Sequence, residues 1–173
     1  MLKKFRARKQ LRNYTCGPAS LRSIFYFYGV SVSEQELVEA GEIKEDGTDV
    51  PIMRYLARQY GFSFWSKDNA TITEMRRWLE RKIPVLILYQ DWGPPNGKNG
   101  HYAVITGINK DYVEIADPSN YQYADGNKFA NTKRMSREVF LRRWFEVEKG
   151  IHYRKWFAII KPSKTNGKAK KGK

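Results

Sequence analysis

The stretch "KQLRNYTCGPASLRSIFYFYG", residues 9–29, holds the only cysteine of the chain, Cys16, between Thr15 and a Gly17-Pro18 pair. A free cysteine usually behaves as a small buried hydrophobe. The neighbours of Cys16 point elsewhere. From Pro18 onward the pattern is helical: Leu21, Ile24, Phe25 and Tyr28 recur at spacings of three and four, and Gly29 makes a natural stop. Proline is favoured in the first turn of a helix. Cys16 is therefore expected at or just before a helix N-terminus, where unsatisfied N–H groups and the positive end of the helix dipole favour a thiolate over a thiol. That position suits a nucleophile.

The 173 residues suffice for one domain with a core, and 41% hydrophobic with 14% aromatic content fits a globular protein. The longest apolar run, "IPVLILY" at 83–89, is strand-sized, so no membrane span is expected. The N-terminal "MLKKFRARKQ" is charged with no apolar stretch after it, which argues against a secretory signal. One cysteine makes no internal disulfide, in keeping with a cytoplasmic location. The net charge of +14 is concentrated at the ends. Residues 1–12 carry six cations and no acid, residues 161–173 do the same, and the body between holds 20 cations against 18 acids. The division expected is a basic arm over 1–8, a folded domain over 9–162 and a disordered basic tail over 163–173, the two ends being candidates for contact with nucleic acid or another polyanion.

Along the chain, "SVSEQELVEAG" predicts a short helix capped by Ser33 with Glu36 three residues on. "DGTDVPIMRYLARQYG" predicts another ending at Gly61, "FSFWS" a strand, and "TITEMRRWLERK" an amphipathic helix with Thr73 near its cap. "PVLILYQ", "HYAVITGIN" and "YVEIAD" read as three strands; a Gly/Pro-dense loop separates the first two, and a turn at Asn109-Lys110 makes the last two a hairpin. "SREVFLRRWF" reads as a late helix and "WFAIIKP" as a closing strand. Helices first and strands after define an α+β domain with an antiparallel sheet.

A thiol nucleophile needs a base. His101 opens the strand after the Gly/Pro loop, where a side chain can meet substrate. His152 stands among cations in "KGIHYRKW" and reads as a surface or core-satisfied residue. An imidazole base needs a group that fixes its tautomer. Asp117 ends the second hairpin strand, and a hairpin returns the chain to where it began, so Asp117 is expected beside His101. An aspartate before Pro118 also suits a plain turn. Gln10 is a candidate amide donor for a developing oxyanion, with the Cys16 N–H as the second. One cysteine and two histidines give no metal-ligand spacing, and no cofactor is expected.

Gln10, Cys16 in "TCGPASL", His101 in "GHYAVITG" and Asp117 in "ADP" together resemble the papain-like bacteriocin-processing cysteine peptidases, the double-glycine peptidase family. The late helix and last strand are similar too, and the resemblance spans roughly residues 8–162. It implies a papain-like fold, Cys16 as nucleophile, His101 as general base and acid, Asp117 as orienter and Gln10 as oxyanion donor. The best-known members are N-terminal domains of ABC exporters that cut leader peptides after Gly-Gly. Thr15 stands where the family often has Asp, and the basic ends are not part of its pattern. A stand-alone cysteine peptidase acting on a peptide or protein is the first reading. The same chemistry turned to acyl transfer or deamidation, an inactive binding module, and a nucleic-acid-associated protein are the competing ones.

Overall fold

The computed structural model describes residues 2–91, 95, 99–119 and 132–163. Most of the tail expected over 163–173 and most of the Gly/Pro loop lie outside the described residues.

The early helices form where cap and apolar period coincide. Helix α1 spans Cys16–Phe27, with Thr15 as N-cap and Pro18 in its first turn, and buries Leu21, Ile24 and Phe25. Helix α2 (Glu34–Ala40) begins in a full capping box: the Ser33 hydroxyl accepts from Glu36 N while the Glu36 carboxylate accepts from Ser33 N. Helix α3 (Val50–Gln59) is capped by the Asp49 carboxylate and stops before Gly61, whose φ of 82° ends the turn in the left-handed region. After strand β1 (Phe62–Lys67) comes α4 (Ile72–Glu80). Its cap is Thr71, not Thr73: the capping box needs a carboxylate three residues on, and only Thr71 has one, at Glu74.

Strands β2 (Val85–Gln90), β3 (Gly100–Ile108) and β4 (Tyr112–Ala116) follow. β3 and β4 form the expected hairpin, its turn held by the Asn109 side chain, which accepts from Asp111 N and Tyr112 N. Strand β5 (Thr132–Ser136), helix α5 (Arg137–Arg143), the hairpin β6 (Phe145–Glu148) and β7 (Ile151–Arg154), and strand β8 (Phe157–Pro162) complete the described chain. The main sheet runs β1-β8-β2-β3-β4-β5 with every neighbouring pair antiparallel, and β6–β7 is a separate two-stranded sheet. β5 and the β6–β7 hairpin were not expected from the sequence.

Helix α1 lies on β3, and α3 on β1. The buried Ser20 hydroxyl donates to Tyr102 O over 3.2 Å, tying the first turns of α1 to the start of β3. The N-terminal segment is part of this core and not a free arm. Leu2, Phe5 and Ala7 are buried, Leu2 N donates to Thr106 O and Arg8 N to the Ser23 hydroxyl, while Lys3, Lys4 and Arg6 stay exposed. Apolar residues alternating with cations in "LKKFRAR" let the backbone lie along the domain with its charges in water. His152 is exposed on β7.

Candidate active site

Two parts of the fold converge on Cys16. The N-terminus of α1 presents the thiol, and the β3–β4 hairpin presents His101 and Asp117. In the hairpin, Val104 pairs with Ala116. Continuing that register sets Asp117 across from residue 103, on the same face as His101, since side chains two apart on a strand share a face. The side chains meet there: His101 Nε2–H donates to Asp117 Oδ1 over 2.7 Å, with the residues 4% and 5% exposed. Asp117 Oδ1 also accepts from Ser119 N over 2.8 Å, which fixes the carboxylate. With Nε2 committed to Asp117, Nδ1 is the ring nitrogen left to serve the thiol, and the Cys16 side chain hydrogen-bonds to the same imidazole.

The electrostatics follow from this geometry. Burial alone would lower the His101 pKa, but the Asp117 carboxylate and then the Cys16 side chain outweigh it and raise the value to about 10. Burial would raise Asp117, yet His101 and then Lys133 hold its carboxyl well below the usual range. The outcome is an imidazolium held between the Asp117 carboxylate and the Cys16 side chain.

Behind the pair lies a polar cluster absent from the sequence expectations. Asp117 Oδ2 accepts from the buried Tyr89 hydroxyl over 3.1 Å and pairs with Lys133 Nζ over 2.5 Å. The same ammonium and hydroxyl also reach Asp91. Donor atoms of Asp91, His101 and Asp117 lie within 4.8 Å of one another, a spacing that could hold a metal ion. Lys133 brings its own positive charge to both carboxylates, so a second cation there would meet repulsion.

Gln10 is 4% exposed, and its backbone N–H donates to Pro118 O over 2.8 Å, which brings it next to the Asp117 end of the hairpin. Leu11 N donates to the buried Glu34 carboxylate and holds the segment leading to Cys16. Gln10 Nε2 donates to Arg12 O over 2.8 Å, leaving its second hydrogen for another acceptor, while Oε1 is buried without a partner. Gln10 is not among the described residues lining the cleft that contains Cys16 and His101.

That cleft, about 390 Å³, is bounded by the loop before α3, the start of β3 and the β6 strand. Two close approaches shape it. A Cβ at Gly17 would sit 3.0 Å from Met53 Sδ and from Thr48 Cβ. A Cβ at Gly100 would sit 2.0 Å from Glu146 Oε2, so glycine is what lets this carboxylate lie against the strand beside His101.

A thiol at a helix N-terminus, facing a buried His–Asp pair on an antiparallel sheet, defines the class of papain-like α+β proteins. The chain belongs to the Peptidase C39 family, which matches residues 4–148, and it is a cysteine peptidase. A curated relative, an uncharacterized protein of Methanothermobacter thermautotrophicus, is 29% identical over 110 residues, 64% of this chain and 69% of that protein. Among solved structures, the peptidase domain of Streptococcus ComA, a bifunctional ABC transporter, superposes with a TM-score of 0.69 at 22% identity, covering 92% of this chain and 99% of that one. A double glycine motif protease from an AMS/PCAT transporter, solved with its leader peptide, gives a TM-score of 0.59 at 19% identity, covering 92% and 96%. At these identities the structural matches speak for the fold. No helix among the described residues is long and apolar enough to cross a membrane.

Proposed function

We propose that the protein cleaves a peptide bond through a thioester on Cys16. The observation that carries this reading is the buried His101–Asp117 hydrogen bond at 2.7 Å with the Cys16 thiol bonded to the same ring. The thiolate sulfur attacks the carbonyl carbon, and the carbonyl π pair moves onto oxygen. The Cys16 N–H and the second Gln10 Nε2 hydrogen are the donors assigned to that oxyanion. As the C–N bond breaks, the His101 imidazolium gives its proton to the leaving amine. Water then attacks the thioester, His101 takes the water proton, and the acid leaves as the thiolate is restored. Asp117 keeps the imidazole in one tautomer throughout.

The substrate assigned is a peptide cut after small residues such as Gly-Gly. The family membership and the fold shared with a double glycine motif protease solved with its leader peptide support this. The test is cleavage of Gly-Gly-containing peptides by purified protein together with mass spectrometry of a thiol-directed probe. Wild type should cleave and be labelled at Cys16, and Cys16→Ala and His101→Ala should lose turnover. Full cleavage by Cys16→Ala would end the reading.

A further inference from the structure

The cleft beside Cys16 has a charge opposite to that of the chain. Five carboxylates line it, Glu45, Asp46 and Asp49 from the loop and helix start, and Glu146 and Glu148 from β6. The one ammonium on its wall among the described residues, Lys149, pairs with Asp46 at 3.7 Å and Asp49 at 3.4 Å. Glu45, Glu146 and Glu148 have no ion pair among the described residues.

Two hydroxyls on the same wall add an independent sign. Tyr102 Oη and Thr48 Oγ1 are buried with no hydrogen-bond partner among the described residues, in residues only 2% and 6% exposed. An orphaned buried hydroxyl is costly, and such a group in a functional cleft marks the place of a missing partner. Both flank the nucleophile. Thr48 packs on Gly17, the residue after Cys16, and Tyr102 follows His101 on β3.

We propose that this cleft binds a cationic side chain, arginine or lysine, of the peptide substrate close to the bond that is cut. A guanidinium or ammonium offers several N–H donors and no acceptor, which matches a wall made of carboxylates and two hydroxyls with free lone pairs. Glu146 and Glu148 are spaced two apart on β6 and so face the same way. Glu146 is braced by Gln90 Nε2 and by Val147 N, and Glu148 accepts from Val50 N. Burial raises both carboxyls to about pKa 7, a cost that a bound cation would offset. The inference rests on the peptidase reading for its substrate and deepens it by naming a charge the substrate carries.

The test uses the full chain in two arms. Cys16→Ala protein is titrated with acetylated hexapeptides of glycine and alanine that carry one arginine, moved through each position, each paired with its neutral citrulline counterpart. Arginine should bind about tenfold tighter than citrulline at one or two positions. Glu146→Gln and Glu148→Gln, made separately, should each shrink that advantage to about threefold or less. Equal binding of arginine and citrulline at every position, or an advantage untouched by both glutamine variants, overturns the proposal. The second arm measures alkylation of Cys16 and cleavage in wild type. An inert Cys16 with arginine preference intact would overturn the nucleophile and leave the cation site standing. A reactive Cys16 with no arginine preference would do the reverse.

Discussion

Asp117 divides its two oxygens between two cationic partners: Oδ1 holds His101 Nε2 at 2.7 Å, and Oδ2 holds Lys133 Nζ at 2.5 Å. Lys133 comes from β5, paired to the far side of β4. It also reaches Asp91 and lies over the Tyr89 ring. The carboxylate behind the histidine is thus fixed from both sides, and its charge is secured by an ammonium that is not among the described lining residues of the cleft.

Replacing Lys133 by Met should lower kcat about tenfold and leave KM nearly unchanged, since Lys133 acts through Asp117 and not on substrate. Lys133 holds the Asp117 carboxyl down, so without it Asp117 takes up a proton at higher pH and the acid limb of the kcat profile should move up. Lys133→Arg should restore most of the rate. Steady-state kinetics across pH decides; an unmoved acid limb would reduce Lys133 to a structural role.

Folding stability should carry the mark of the imidazolium. His101 binds its proton up to about pH 10 when folded and only to about pH 6.5 when unfolded. Its contribution is complete below about pH 6.5 and drains away as pH rises toward 10, because over that range the folded state holds more protons. Asp117→Asn, which removes the main source of the rise, should flatten the melting temperature against pH over that window. A slope as steep as wild type would place the proton elsewhere.

Glu146 and Glu148 should add to the same loss of stability as pH rises, at lower pH. Burial raises each to about 7, so ionising them opposes folding, a cost present above that pH and absent below about pH 4. The double variant Glu146→Gln, Glu148→Gln should melt about 2–4 °C higher than wild type at pH 8 and close to it at pH 4. A thermal scan at the two values is sufficient, and an equal gain at both would remove charge as the cause.

Phe5→Ala should cost about 3 kcal/mol, because the ring is buried and stacks near Phe27 with centroids 5.6 Å apart. The basic N-terminal segment therefore cannot be trimmed as an appendage, and a chain starting at Lys9 should unfold at markedly lower urea than the full chain. Lys3, Lys4 and Arg6 are exposed, and salt-sensitive binding of an RNA oligomer tests whether they meet a polyanion; binding that ignores ionic strength would dismiss the idea.

The helical part was legible because its signals are local. Ser33 with Glu36 is a short-range signal that the structure uses as read, and Asp49 before Val50-Pro51 is another of the same kind. The juxtaposition of His101 and Asp117 was legible because a hairpin makes sixteen residues of separation predictable in space. What escaped is long-range or weakly patterned. β5, "TKRMS", has no buried residue, so no apolar alternation announces it, and with it went Lys133. The β6–β7 hairpin has four-residue strands, but Lys149-Gly150, both at positive φ, is a hairpin turn that could have been recognised in "FEVEKGIHYR". Seeing it would have put Glu146 and Glu148 on one face. The acidity of the cleft was hidden because its carboxylates come from two segments about a hundred residues apart, inside a chain whose overall charge is positive.

Strand β8 sits between β1 and β2, although among the described residues it is the last strand in the chain. On a ribosome, β1 with α3 and its Thr48–Asp49 border emerges long before, and the β2–β3–β4 unit with His101 and Asp117 somewhat later. Nothing in the sheet joins the two until residues 157–162 arrive to hydrogen-bond with both. A nascent chain holds its thiol early, yet the two parts of the main sheet are joined to each other only when β8 arrives. The order of synthesis thus delays closure of the main sheet until β8 has been made.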